Sequence, residues 1–119
     1  MQDRLDWFTT ELSKHFKNNL IVVTAKDVAG AKDALNMSYD LAFLDHDLGG
    51  RVFVPSEDPE TGYAVAKYIR DNNISINKIV IHSLNYDGAR HMQAVLPGSY
   101  RIPYLNLVQN LGWFLERLT

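Results

Sequence analysis

The chain has 119 residues, 46% of them hydrophobic, which suits a single globular domain over residues 1–119 with one buried core. Twelve Lys and Arg against 14 Asp and Glu give a net charge of -2 without a long run of either sign, so a surface built to coat nucleic acid is not implied. Cysteine is absent, which excludes disulfides and thiolate metal sites and leaves carboxylates and histidines as the available ligands. The first residues, MQDRLDWF, lack the basic start and apolar core of a signal peptide, and no apolar run approaches membrane-spanning length. The expectation is a cytoplasmic protein with no membrane partner.

From Gln2 to Phe16, Leu5, Phe8, Leu12 and Phe16 recur at three- and four-residue steps, one face of an amphipathic helix. Leu20 to Ala25, LIVVTA, is a β-branched run expected to form a strand buried on both faces. Asp27 is placed to cap a helix that carries Val28, Ala31 and Leu35 on one face and stops by Met37 or Ser38. Tyr39 to Leu44 is the second strand-like run, ended by the loop that contains Gly49 and Gly50. Arg51 to Glu60 reads as a loop because Pro55, Ser56, Asp58 and Pro59 interrupt any periodicity, and it is a candidate lid.

Thr61 is placed to cap a helix to about Asp71 that buries Val65, Ala66 and Ile69. Lys78 to Ser83 is the third strand, and Asn85 to Gly88 turns into a helix carrying Ala89, Met92, Val95 and Leu96. Tyr100 to Leu105 is a fourth, short strand, with Asn106 as cap of a last helix whose core face is Val108, Leu111, Leu115 and Leu118. This alternation indicates an α/β layer with a parallel sheet.

The chemistry is expected around LDHDLGG, Leu44 to Gly50, because ligands of open α/β sheets bind at the carboxyl ends of the strands. Asp45 and Asp47 are two residues apart and on extended backbone leave by the same face, which suits a divalent cation such as Mg²⁺ or Mn²⁺, or a shared proton. The plain structural alternative is that both cap the following turn. His46 and His82 end apolar runs and have the chemistry for proton transfer. Ser83, Asn85 and Arg101 are candidate phosphate-binding groups, with Asn85 equally suited to a turn cap. His15 and His91 are read as solvated. Trp7, Phe8, Trp113 and Phe114 are read as core or interface aromatics, because no basic residues interleave them as in a base-stacking platform.

The segments VVTAKDVAGAKDAL, SYDLAFLDHDLGG, TGYAVAKYI, KIVIHSLN and YRIPYL resemble the receiver-domain superfamily and, within it, the cyclic-phosphate processing receiver domain. The resemblance covers roughly residues 20 to 105 and rests most specifically on LDHDLGG followed by IHSxN. It implies a receiver-like, flavodoxin-like three-layer α/β sandwich with about four strands. The family's first strand, with its metal-holding acidic pair, is expected before Met1. Asp45 falls at the receiver's phospho-accepting position and Ser83 at its Ser/Thr position, while the usual lysine falls on Ile102, with Arg101 beside it. The resemblance implies a metal-assisted phosphoesterase acting on a cyclic phosphate of an RNA end or a nucleotide, with Asp45, His46 and His82 catalytic and Asp45 and Asp47 on the metal.

Two other functions compete. One is a non-catalytic module that binds a phosphate-containing small molecule or a protein, inhibitory in the manner of phage proteins, or that pairs with a second copy through an exposed sheet edge. The other is a phospho-accepting signalling receiver, which the missing lysine and acidic pair disfavour.

Overall fold

In a computed structural model the described residues, 2–16, 21–48 and 54–118, form five helices and three strands in the order α1 (Gln2–Phe16), α2 (Val28–Ala34), β1 (Tyr39–Leu44), α3 (Gly62–Asp71), β2 (Ile76–Ile81), α4 (Tyr86–Val95), β3 (Tyr100–Arg101) and α5 (Tyr104–Leu118). The strands lie in the order β1-β2-β3, all parallel, with Tyr39 opposite Ile76, Leu44 opposite Ile81, and Ile81 opposite Arg101.

Side chains alternate across the sheet, and the alternation sorts the core into two. Ile79 and Ile81 face α2, α3 and α4, packing with Val28, Leu35, Val65, Ile69, Ala89 and Met92. Leu41, Phe43 and Val80 face α1 and α5, packing with Phe8, Leu12, Leu107, Leu111 and Leu115. The receiver-like α/β sandwich is therefore observed, with three strands among the described residues where about four are expected.

The local signals explain most of the boundaries. Asp27 caps α2 by accepting from Gly30 N at 2.7 Å, and Asn85 caps α4 by accepting from Gly88 N at 2.9 Å. Each such cap stabilises by about 1 kcal/mol. Thr61 occupies the cap position of α3, but its hydroxyl donates to the Asp58 carbonyl and only its backbone oxygen receives the helix amides. Asn73 ends α3 with φ 50, a left-handed conformation that asparagine tolerates better than most residues.

Three expectations fail, each for a physical reason. Residues 21–25 of the LIVVTA run form no strand, and Ile21 is 91% exposed; Leu20 lies outside the described residues. A groove of about 730 Å³ separates this segment from the outer edge of β1, so the run has no ladder to join. The fourth strand shrinks to Tyr100–Arg101 because Pro103 has no amide to donate, and the chain turns helical at once, with Leu107 N bonded to Pro103 O at 3.0 Å. Asn106 is consequently inside α5 instead of capping it. The core face shifts with the earlier start, so Leu107 is buried while Val108 is only half-buried.

Candidate functional site

Beyond Leu44 the backbone leaves the extended conformation and bends at His46, so the alternation of β1 does not carry on to Asp47. Asp45 borders the groove beside β1, as does His82. His46 is fully buried, with its ring against Gly88 at the start of α4 and its backbone against Gly62 at the start of α3. Asp47 makes an antiparallel bridge with Thr61 and turns its carboxylate back to His46. The two carboxylates thus serve different surroundings. Asp45 Oδ1 accepts weakly from Asp47 N at 3.4 Å, the local turn bond that short acidic side chains favour.

Close backbone packing makes this arrangement possible. Gly62 donates its N–H to the His46 carbonyl at 2.7 Å, and a Cβ there would overlap the Asp45 carbonyl. A Cβ on Gly88 would overlap the His46 ring. Both helix starts approach the motif at positions where only glycine fits.

The polar contacts place a proton on Nδ1 of the buried histidine. Asp47 Oδ1 lies 2.7 Å from His46 Nδ1 and also accepts from Val54 N at 3.2 Å and Asn85 Nδ2 at 3.1 Å. Asn85 Nδ2 gives its second hydrogen to the Val54 carbonyl at 3.0 Å and so has none left for His46. His46 Nδ1 must therefore carry a proton and donate to Asp47, and in the neutral imidazole that leaves Nε2 an acceptor. His46 Nε2 lies 3.1 Å from Ser56 Oγ, and Ser56 Oγ lies 2.6 Å from His91 Nδ1. The chain of contacts runs Asp47, His46, Ser56, His91, from a buried carboxylate to an exposed imidazole.

The other expected site residues are distributed around this chain. Asn85 is committed on all sides, since its Oδ1 caps Gly88 and its Nδ2 holds Asp47 and Val54, so it positions its neighbours. Ser83 is buried and its Oγ accepts from Asn85 N at 3.0 Å. His82 is buried against Phe8, Phe43 and Tyr104, with ring centroids 4.9, 6.4 and 5.6 Å away, on the α1/α5 side of the sheet. It therefore does not join His46. Arg101 lies over the Tyr86 ring at 5.0 Å, and its Nη1 is buried without a hydrogen-bond partner among the described residues.

Ser56 and His91 have no motif to announce them. Ser56 sits in a proline-interrupted loop, and His91, read as solvated, is exposed yet hydrogen-bonded and 6.2 Å from the Tyr63 ring. Of the candidate lid, residues 51–53 lie outside the described residues, while Val54 is buried and tied to Asp47 and Asn85 through its backbone.

Among the described residues, no three His, Asp or Glu side chains converge on one point. Asp47 Oδ1 is already shared by three N–H groups. No step below is routed through a metal ion. No helix is long and apolar enough to cross a membrane among the described residues.

A parallel sheet with helices on both faces, and polar groups gathered past the carboxyl end of its strand, defines a receiver-like domain. The family model of the cyclic-phosphate processing receiver domain matches residues 8–97, and the chain belongs to that family. Comparisons with curated proteins and with solved structures return no match.

Proposed function

We propose that the protein is a phosphoesterase that opens a cyclic phosphate, at an RNA end or on a nucleotide, and that the His46–Asp47 pair moves the proton. The observation that carries this reading is the buried His46 imidazole held on the Asp47 carboxylate at 2.7 Å in a chain of this family. An imidazole fixed at Nδ1 presents Nε2 as a base, the form required to take a proton from a hydroxyl or water. Arg101 supplies a guanidinium to phosphate oxygens, and Ser83 and Asn85 hold the pair in place. Asp45 and His82 border the adjoining groove and are the second set of candidates for contact with substrate.

The test is incubation of the purified protein with 2′,3′-cyclic nucleotides, with added Mg²⁺ or Mn²⁺ and with chelator. Turnover that falls about 100-fold or more in His46→Asn is expected. Turnover equal in the variant and the parent overturns the assignment.

A second reading, a non-catalytic module, is favoured by the groove beside β1 and by the exposure of Ile21 and Val23 along it. In that reading a second copy pairs at the open sheet edge. Light scattering that gives a concentration-independent monomer removes it.

A further inference from the structure

Ser56 stands in a relation to His46 and Asp47 that the loop it belongs to does not require. A proline-rich surface loop is satisfied by its own turn bonds, here Asp58 N to the Pro55 carbonyl at 3.0 Å and Glu60 N to Asp58 Oδ1 at 2.8 Å. The Ser56 hydroxyl is not used in those. Its Oγ lies between two imidazoles, 3.1 Å from His46 Nε2 and 2.6 Å from His91 Nδ1, and the opposite nitrogen of His46 is held on a carboxylate that two further donors keep in place. Carboxylate, imidazole and hydroxyl in this sequence of contacts are what activates a serine: the imidazole takes the hydroxyl proton and the carboxylate stabilises the imidazolium that forms. Burial of His46 excludes water from the base, while Ser56 is only half-buried and its other imidazole partner, His91, is exposed.

We propose that Ser56 is a nucleophile toward tetrahedral phosphorus, activated by His46 and oriented through Asp47, with the exposed His91 as the acid. The nucleophile follows from the contacts alone; the choice of a cyclic phosphate ester as its substrate rests on the reading given above. In the first step the Ser56 Oγ–P bond forms and the endocyclic P–O bond breaks. The Oγ proton goes to His46 Nε2, and doubly protonated His91 gives a proton to the released sugar oxygen. In the second step water attacks the phosphoserine diester, the Oγ–P bond breaks, Oγ recovers its proton from His46, and the proton of the water goes to His91.

A fluorophosphonate probe tests the nucleophile apart from the substrate, because its fluoride leaves as Oγ bonds to phosphorus. Intact-mass and peptide mass spectrometry of the full chain are expected to show one adduct, on Ser56, absent in Ser56→Ala and slowed about 100-fold in His46→Gln. His46 is buried and its variant is liable to unfold, so the decisive variant is Ser56→Ala in its half-buried loop, with circular dichroism as the folding control. No adduct, or an adduct elsewhere, overturns the proposal. With 2′,3′-cyclic nucleotides, turnover lost in Ser56→Ala and reduced in His91→Ala supports it, and turnover undiminished in Ser56→Ala overturns it. Labelling of Ser56 without any cyclic-nucleotide turnover supports the nucleophile and defeats only the cyclic-phosphate reading.

Discussion

Asn85 donates to the Asp47 carboxylate at 3.1 Å across 38 positions of sequence, joining the start of α4 to the loop after β1. The same amide holds the Val54 carbonyl, and its Oδ1 caps α4. One side chain therefore fixes two loops and a helix start. Asn85→Ala removes the cap and leaves buried acceptors without their donors, a loss of about 2 to 4 kcal/mol. Urea unfolding followed by circular dichroism measures it, and a loss below about 0.5 kcal/mol contradicts the contact set.

Asp47→Asn keeps the shape but replaces an acceptor-only group with an amide that has hydrogens to place. Its carboxylate oxygen receives from His46, Val54 and Asn85, so an NH₂ at that point faces donors. A stability loss of about 1 to 3 kcal/mol is expected. If turnover or Ser56 labelling is observed in the parent, it should fall about 100-fold or more, because His46 loses the group that fixes its tautomer.

Glycine positions separate by sign. Gly88→Ala pushes a methyl into the His46 ring and Gly62→Ala into the Asp45 backbone, each costing about 1 to 3 kcal/mol. Gly112, exposed within α5, has no atom within 4 Å of a new Cβ, and Gly112→Ala should stabilise by about 0.5 to 1 kcal/mol. Thermal melts of the three variants should shift in opposite directions accordingly.

The register of α5 is testable in the same way. Leu107→Ala should cost about 2 to 5 kcal/mol, since Leu107 is 1% exposed in the core beside α1, and Val108→Ala clearly less. Equal losses would restore the face that begins at Val108.

Ile21→Thr should change stability by less than about 0.5 kcal/mol, because the side chain is 91% exposed and its segment joins no strand. A loss near that of a core residue would return the LIVVTA run to the sheet.

Strand β1 is legible to the residue, because Tyr39 to Leu44 is an apolar run with turn formers on both sides, and the caps at Asp27 and Asn85 follow from local chemistry. What local pattern does not carry is whether a run finds a partner. LIVVTA has the composition of a strand, yet a ladder needs a second edge within reach. Pro103 shortens β3 through its missing amide, which the pattern of apolar residues alone conceals. The pairing of His46 with Asp47 depends on one bend after Leu44, and the approach of Ser56 and His91 on tertiary packing between a loop and α4. None of these leaves a periodic trace.

His46 and His82 end neighbouring strands but rest on opposite faces of the sheet, one against Gly62 and Gly88 at the starts of α3 and α4, the other among the rings of Phe8, Phe43 and Tyr104. The sheet is in effect a partition, and the two histidines occupy separate rooms. A change at either histidine meets its own set of neighbours first, Asp47 and Gly88 for His46, Phe8 and Tyr104 for His82. The loss of one room's chemistry would leave the other room furnished.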